Sequence, residues 1–136
     1  MADNSKKIIS YQHSFMVKPT EIDGQNHVNN VVYLKWINAI SVKHWSNLAS
    51  KTVKEKYSWV AKRHEIDYLK PALLQDEITV KTWIGEYHGA TSIRLVEIYA
   101  NNNLLAKSKT IWVLLNSKTK RVTRINNEIL ATLKLI

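Results

Sequence analysis

The sequence contains no cysteine among its 136 residues, only three glycines, two prolines and a single phenylalanine. The absence of cysteine excludes disulfides, zinc sites built from thiolates, and a cysteine nucleophile. Because glycine and proline are scarce, no stretch has the composition of a flexible linker, and no repeat or low-complexity tract is present. We therefore expect residues 1–136 to form a single domain with its own core.

Long apolar runs are also missing from this sequence. No stretch approaches the roughly 18 consecutive apolar residues of a membrane-spanning helix. The first seven residues are polar and the apolar pair Ile8-Ile9 is followed at once by Ser10, so the start of the sequence lacks the apolar region of a signal peptide. These features predict a soluble, cytoplasmic protein that does not insert into membranes.

Acidic residues are few relative to basic ones. The 11 Asp and Glu residues stand against 20 Lys and Arg residues, which gives a net charge of +9. Such an excess makes an anionic partner worth considering, although a basic protein need not have one. The basic residues are scattered and no motif interleaves them with aromatic residues, so we do not expect a nucleic-acid partner.

The apolar residues that are present follow two different periods. Residues 8–17 alternate between apolar and polar side chains, which predicts a strand that ends before Pro19. From Asn30 onward, apolar residues recur with helical spacing for about five turns and occupy much of the circumference. A helix of this kind must be enclosed, and the preceding Asn29 is a good N-terminal cap, as is Asn30 itself.

After Tyr57 the sequence returns to alternation and predicts a series of strands. We place four strands near residues 57–69, 76–87, 91–101 and 104–116, with a further short one at 121–125 and a terminal helical turn from Asn127. The short turns between them imply antiparallel pairing. An early strand, one long apolar helix and several antiparallel strands form an α+β pattern, in which the sheet must curl around the helix to bury it.

A polar loop between the first strand and the helix carries the residues best suited to chemistry, Asp23 and His27. Free N–H groups at the start of a helix can bind a carbonyl oxygen as it becomes an oxyanion. Asp23 can then attack the carbonyl or activate a water. A thioester suits this equipment, because a thiol of pKa about 8.5 departs without a strong general acid. The alternative interpretation is that these residues only cap the helix.

The order of the residues in this loop resembles that of hotdog-fold thioesterases of the 4-hydroxybenzoyl-CoA thioesterase type. It is also similar to the plant and bacterial acyl-acyl-carrier-protein thioesterases. In these families an Asp, three intervening residues and then His-Val-Asn-Asn lead into a long central helix, and an aromatic residue follows three positions later. The matching positions here are Asp23, His27 to Asn30, and Tyr33.

The resemblance continues more loosely through residues 63–71 and 76–80 and so covers nearly the whole chain. Two positions in the loop differ from the pattern. Asn26 stands where the family often has Gly, and Gln25 stands where the acyl-carrier-protein branch often carries a catalytic Asn.

The resemblance implies a fold and a set of site residues. The fold is a hotdog fold, with a five- to six-stranded antiparallel sheet wrapped around the long central helix. Asp23 matches the catalytic carboxylate, acting as nucleophile or general base, and His27 matches the motif histidine. Asn30 is expected to polarise the carbonyl through its backbone N–H, and Asn29 and Tyr33 fall at substrate-binding positions. The resemblance also implies a homodimer or homotetramer with acyl pockets between subunits.

Other polar residues have simpler interpretations. His64 and Glu65 begin like a zinc-protease motif, but Tyr68 occupies the place of the second histidine, so no metal and no cofactor are expected. Glu65 and Asp67 lie on the same strand face as Arg63, which favours a plain ion-pair cluster, although both remain reserve candidates for a second acid. The remaining histidines are expected at the surface or its boundary: His13, His44 and His88.

These observations favour an acyl-CoA thioesterase that releases a free carboxylic acid and CoA. In that case the basic surface attracts the CoA phosphates and an apolar channel beside the helix takes the acyl chain. An acyl-acyl-carrier-protein thioesterase, whose acidic carrier would dock on the same charge, remains open. A non-catalytic module that only binds acyl thioesters is the alternative from a different class.

Overall fold

A computed structural model describes residues 10–136 of the chain, so Ile8 and Ile9 of the first predicted strand lie outside the described residues. Strand β1 covers Ser10–Met16 and is followed by a short 3-10 turn and then by the long helix α1, Asn30–Leu48. The remaining elements are α2 (Lys51–Lys56), β2 (Tyr57–Tyr68), β3 (Glu77–His88), β4 (Thr91–Ala100), β5 (Asn103–Asn116) and α3 (Asn127–Thr132).

The five strands form one antiparallel sheet in the order β1-β3-β4-β5-β2. Strands β3, β4 and β5 follow one another as a meander, whereas β1 and β2 occupy the two edges. Alternate residues of β4 are buried, from Ser92 to Ala100, because successive side chains of a strand point to opposite faces. One face of the sheet therefore covers α1, as the α+β pattern predicted.

Two hydrophobic clusters lie along α1. The first joins the N-terminal half of the helix to β3, β4 and β5, and Ile37 at its centre has no exposed surface. The second cluster packs the C-terminal end of α1 against α2, β5 and α3, with Leu114 and Ile129 fully buried. Because each cluster draws on both helix and sheet, the sheet holds α1 in place along its length.

The start of α1 is well defined. The Asn29 side chain accepts a hydrogen bond of 3.0 Å from the backbone N–H of Val31, which satisfies one of the free donors of the first turn. This confirms the predicted cap at Asn29. Asn30 is the first residue of the helix itself.

The structure differs from the sequence-based expectations at two places outside the sheet. The strand predicted at 121–125 is wrong, because within the described residues this segment forms only an isolated bridge between Val122 and Leu115. Helix α2 was not predicted. It is a single short segment capped by Ser50, whose hydroxyl accepts from the N–H of Val53 at 3.1 Å. The terminal helix from Asn127 is confirmed.

None of the helices within residues 10–136 combines the length and the apolar character required to cross a membrane.

Candidate active site

The loop that carries Asp23 and His27 is closed by backbone hydrogen bonds. The Asp23 N–H donates to the carbonyl of His27 at 2.7 Å, and the Asn26 N–H donates to the carbonyl of Asp23 at 3.2 Å. An isolated bridge between Ile22 and Val28 closes the base of the loop. Asp23 and His27 are therefore held at fixed positions beside the first residue of α1.

Asn26 has a φ of 66°, in the left-handed region. Glycine adopts this conformation without cost, and Asn adopts it more readily than other residues with side chains. The family position before the motif histidine is often Gly, so Asn26 preserves the backbone conformation that a glycine would allow. The difference in sequence at this position therefore does not require a different loop.

The Asp23 carboxylate is fixed by one of its oxygens. Its Oδ1 accepts hydrogen bonds from the backbone N–H groups of Gln25 at 2.9 Å and His27 at 3.2 Å. Among the described residues, no hydrogen bond involves the other oxygen, Oδ2. The side chain is exposed. One oxygen thus orients the carboxylate while the other is free to meet a water or a substrate.

The helix N-terminus beside Asp23 offers a free donor. Val31 donates to the Asn29 side chain and Val32 to the Asn29 carbonyl, at 3.0 and 2.9 Å. The N–H of Asn30 has no acceptor within residues 10–136, as expected for the first helical residue, which has no carbonyl four positions earlier in the helix. This N–H, with the positive end of the helix dipole behind it, can bind an oxygen that carries negative charge.

Tyr33 forms the floor of the site and is almost fully buried, with 2% of its surface exposed. Its hydroxyl oxygen accepts a 2.8 Å hydrogen bond from the backbone N–H of Ala72. Burial raises the pKa of this phenol above its usual value. The Tyr33 ring also meets that of Tyr68 edge to face, at a centroid distance of 5.2 Å. Tyr33 therefore joins the first turn of α1 to the segment after β2.

All of the predicted site residues line one cleft of about 430 Å³. Asp23 and His27 belong to the loop, Asn29 and Asn30 to the helix start, and Tyr33 to the floor. The structure thus brings together residues that a sequence pattern had only grouped by spacing. It also shows that Lys70 and the exposed ring of Tyr68 line the cleft. These two residues lie in the stretch of looser family similarity, but nothing in their types or spacing predicted a role.

The segment after β2 is attached to the loop by backbone contacts. The N–H of Val28 donates to the Ala72 carbonyl at 2.9 Å, and His27 forms an isolated bridge with Leu73. This pairing places Lys70 at the rim of the cleft. An exposed lysine there adds positive charge close to Asp23 and to the helix start.

The reserve acids Glu65 and Asp67 both lie outside the cleft. The Glu65 Oε2 is 3.0 Å from the Arg63 guanidinium, and both of these side chains are more than half exposed. This confirms the predicted ion pair. An exposed pair of this type contributes little to stability, about 0–1 kcal/mol.

The histidine predictions are correct at two positions and wrong at one. His13 and His88 are exposed, as expected. His44 is buried, with 3% of its surface exposed, and its ring stacks on Tyr11 at a centroid distance of 5.3 Å. The reason is that residue 44 follows Ile37 and Ser41 on the buried face of α1. Burial, with the Arg94 charge nearby, lowers the pKa of His44 to about 4.

Comparison with known proteins places this architecture in a family. Residues 9–133 match the family described as the acyl-ACP thioesterase N-terminal domain. The chain is 21% identical over 132 residues to the chloroplastic acyl-[acyl-carrier-protein] hydrolase FATB3 of Cuphea viscosissima, covering 89% of this chain but 32% of that protein. It is 20% identical over 128 residues to the long-chain acyl-CoA thioesterase FadM of Escherichia coli, covering 87% of this chain and 92% of that protein.

The fold is shared with solved thioesterase structures. A thioesterase from Thermus thermophilus, complexed with coenzyme A and Zn, superposes with a TM-score of 0.80 at 23% identity and covers 91% of each chain. This likeness confirms that the sheet wrapped around α1 forms the hotdog fold that the sequence resemblance implied. With residues 9–133 matched by one family, this chain belongs to the family of the acyl-ACP thioesterase N-terminal domain.

Proposed function

We propose that this chain hydrolyses acyl-CoA thioesters to a free carboxylic acid and CoA. The observation that carries this proposal is the cleft at the start of α1, where the free oxygen of Asp23 and the free N–H of Asn30 lie together. A carboxylate and an oxyanion donor on opposite sides of a carbonyl are the groups that acyl transfer requires.

The reaction can be followed atom by atom. The thioester carbonyl oxygen accepts a hydrogen bond from the Asn30 N–H, and this bond stabilises the negative charge that develops on the oxygen. Asp23 then either attacks the carbonyl carbon or removes a proton from an attacking water. The carbon–sulfur bond breaks and the thiolate of CoA leaves. In the first case water hydrolyses the acyl–Asp23 anhydride and regenerates the carboxylate. In the second case the proton that Asp23 took from water passes to the thiolate, which becomes the thiol of CoA, and Asp23 is again a carboxylate. His27 lines the same cleft, and its imidazole can pass a proton to the departing sulfur.

The charge of the site suits an anionic carrier of the acyl group, and the match to FadM favours CoA over an acidic carrier protein. Lys70 at the rim of the cleft and the net charge of +9 attract the CoA phosphates. FadM, which the chain matches over nearly its full length, is described as acting on long-chain acyl-CoA. The competing carrier is an acyl carrier protein, as the name of the Cuphea relative states for that protein. Turnover of one acyl group on CoA and on carrier protein distinguishes the two.

The second subunit expected from the family resemblance fits the surroundings of the cleft. Tyr68 and Leu69 at the cleft, and Leu73 and Leu74 just beyond it, are each between 44% and 50% exposed. Strand β2 is also an edge strand, whose outer N–H and C=O groups have no strand partner among residues 10–136. We therefore propose a homodimer or homotetramer in which another subunit covers these residues.

The substitution Asp23→Asn tests the catalytic assignment. Asn keeps an oxygen that can accept hydrogen bonds from the backbone N–H groups of Gln25 and His27, so the loop should stay folded. Only the negative charge is lost. We expect kcat for acyl-CoA hydrolysis to fall by about a hundredfold or more, the scale of a positioned proton-transfer group, with little change in the melting temperature. Release of free CoA thiol measures the rate.

Asp76→Asn is the matched control. Asp76 also accepts a backbone N–H with one carboxylate oxygen, from Leu73 at 2.9 Å, but it does not line the cleft. It should retain activity. If Asp23→Asn is as active as this control, Asp23 is not catalytic, and His27 becomes the candidate in its place. If the wild-type protein itself releases no CoA, a protein that binds acyl-CoA without turning it over is the remaining explanation.

A further inference from the structure

A second cavity of about 350 Å³ lies beside the C-terminal half of α1. Its volume is in the range of pockets that bind small molecules. None of its lining residues belongs to the cleft at the helix start. Trp45 is twelve positions beyond Tyr33 on the same helix, so the two sites are about 18 Å apart along its axis. The groups proposed for the chemical step all lie in the cleft, so bond breaking does not use this cavity, although it lies beside the helix where a channel for the acyl chain is expected.

Most of the cavity wall is apolar and aromatic. Three of the five tryptophans of the chain line it, Trp45, Trp59 and Trp112, together with Ile84 and Leu133. Trp45 and Trp59 meet edge to face at a centroid distance of 5.8 Å. A wall of this composition favours a ligand with an apolar body.

Arg94 lines the same cavity and is 5% exposed. Its Nη1 donates to Nδ1 of His44 at 2.9 Å and to the Thr82 hydroxyl at 3.0 Å. Neither acceptor carries a charge near neutral pH, because Thr82 offers a hydroxyl and the pKa of His44 is lowered to about 4. Burial lowers the pKa of Arg94 to about 10, so its guanidinium stays charged near neutral pH. Among the described residues, no carboxylate forms an ion pair with Arg94.

The charge of the cavity is of one sign. Lys54 also lines it, and its lining includes no Asp or Glu. A buried charge without a counter-ion is costly, and the usual remedy is a paired anion. No hydrogen bond among residues 10–136 uses Nε or Nη2 of Arg94, and these two nitrogens form the edge of a guanidinium that binds a carboxylate in a bidentate manner.

One more polar group in the cavity wall lacks a partner. The indole N–H of Trp112 is buried and has no hydrogen-bond acceptor within the described part of the chain. Buried indole N–H groups usually find an acceptor.

We infer that this cavity binds an organic carboxylate with an apolar body, whose carboxylate pairs with Arg94 and whose body packs on the tryptophans. The inference stands independently of the proposed hydrolysis. The carboxylate can belong to a free acid or to the far end of an acyl group that enters from the cleft. Both sources share the same chemistry, and competition with substrate separates them.

The test compares 4-phenylbutyrate with its primary amide on the unmodified protein. The two molecules have nearly the same shape, and only the acid carries a negative charge that can pair with Arg94. Quenching of tryptophan fluorescence, checked by calorimetry, should show the acid binding at least about tenfold more tightly than the amide. Equal affinity of the acid and the amide, or no binding of the acid, would overturn the inference.

Val42→Glu locates the binding. Val42 lines the cavity but is 58% exposed, so a glutamate there should leave the fold intact and repel the acid, weakening it by at least about fivefold. Val122→Glu makes the same change in charge at a residue that is 63% exposed and outside the cavity, and it should bind like wild type. Equal affinities in these two variants would also overturn the inference. If Val42→Glu lowers the melting temperature, the acid–amide comparison decides alone.

Steady-state kinetics then identifies the source of the carboxylate. If the acyl group reaches the cavity, 4-phenylbutyrate should compete with substrate, and an acyl-CoA with a terminal carboxylate should be preferred over its uncharged analogue. If the cavity serves a free acid, the acid should bind without competing. Either result supports the carboxylate site. A complete loss of activity in Asp23→Asn together with unchanged acid binding would show that the two sites act separately.

Discussion

The buried histidine His44 makes the stability of this protein depend on pH near neutrality. His44 is 3% exposed and accepts from Arg94, and its pKa is lowered from 6.5 to about 4. In the unfolded chain the same side chain has a pKa of about 6.5. Between these two values the unfolded state binds a proton that the folded state does not bind. Stability is therefore full above pH 6.5 and is lost as the pH falls toward 4.

The expected loss can be worked out for a modest change in pH. On lowering the pH from 7 to 5.5, proton binding to the unfolded His44 should reduce the free energy of unfolding by about 1 kcal/mol. Arg94 adds nothing to this slope, because with a folded pKa of about 10 it is protonated in both states throughout this range.

Urea unfolding at pH 7 and pH 5.5, followed by tryptophan fluorescence, measures this difference. In His44→Gln the difference should nearly vanish, because an amide oxygen can accept from Arg94 but does not titrate. His13→Gln is the matched control at an exposed position and should keep the wild-type difference. If wild type and His44→Gln lose the same stability between the two pH values, the reasoning about the buried imidazole is wrong.

Three other measurements probe the site and its surroundings. Asn26→Ala should destabilise the protein by about 1–2 kcal/mol, because alanine is strained at a φ of 66°, whereas Asn26→Gly should be close to neutral; urea unfolding checks both. Tyr33→Phe should cost about 1–3 kcal/mol, because the buried N–H of Ala72 loses its acceptor, and an unchanged unfolding midpoint would argue against that bond. Analytical ultracentrifugation at micromolar concentration should find a dimer or tetramer, and a fully active monomer would contradict the proposed covering of the cleft.

The sequence by itself determined the elements whose signals are local. The alternation of β1 to β5, the helix from Asn30 and the cap at Asn29 can be predicted because each depends on neighbouring residues and on one fixed period. The site loop can also be predicted from local signals. Asp23, His27 and Asn30 lie within a single turn and the helix start that follows it, so their spacing along the chain already implies their proximity.

The tertiary structure decided the features that depend on pairing between distant segments. Lys70 lines the cleft because the chain after β2 pairs with the site loop. Tyr68, the last residue of β2, lines it with a hydroxyl that donates to the Asn30 carbonyl at 3.3 Å, and no periodicity encodes either contact. His44 and Arg94 are fifty positions apart. Taken alone, a histidine or an arginine is more often expected at the surface than in the core. Their burial follows from the face of α1 and the register of β4, which the sheet sets as a whole. The strand expected at 121–125 is reduced to one bridge with β5, held by the N–H of Thr123 donating to Leu114 and the N–H of Asn116 donating to Arg121. The next donor, the N–H of Ile125, turns to the Gly89 carbonyl instead, and a local pattern does not show where such pairing stops.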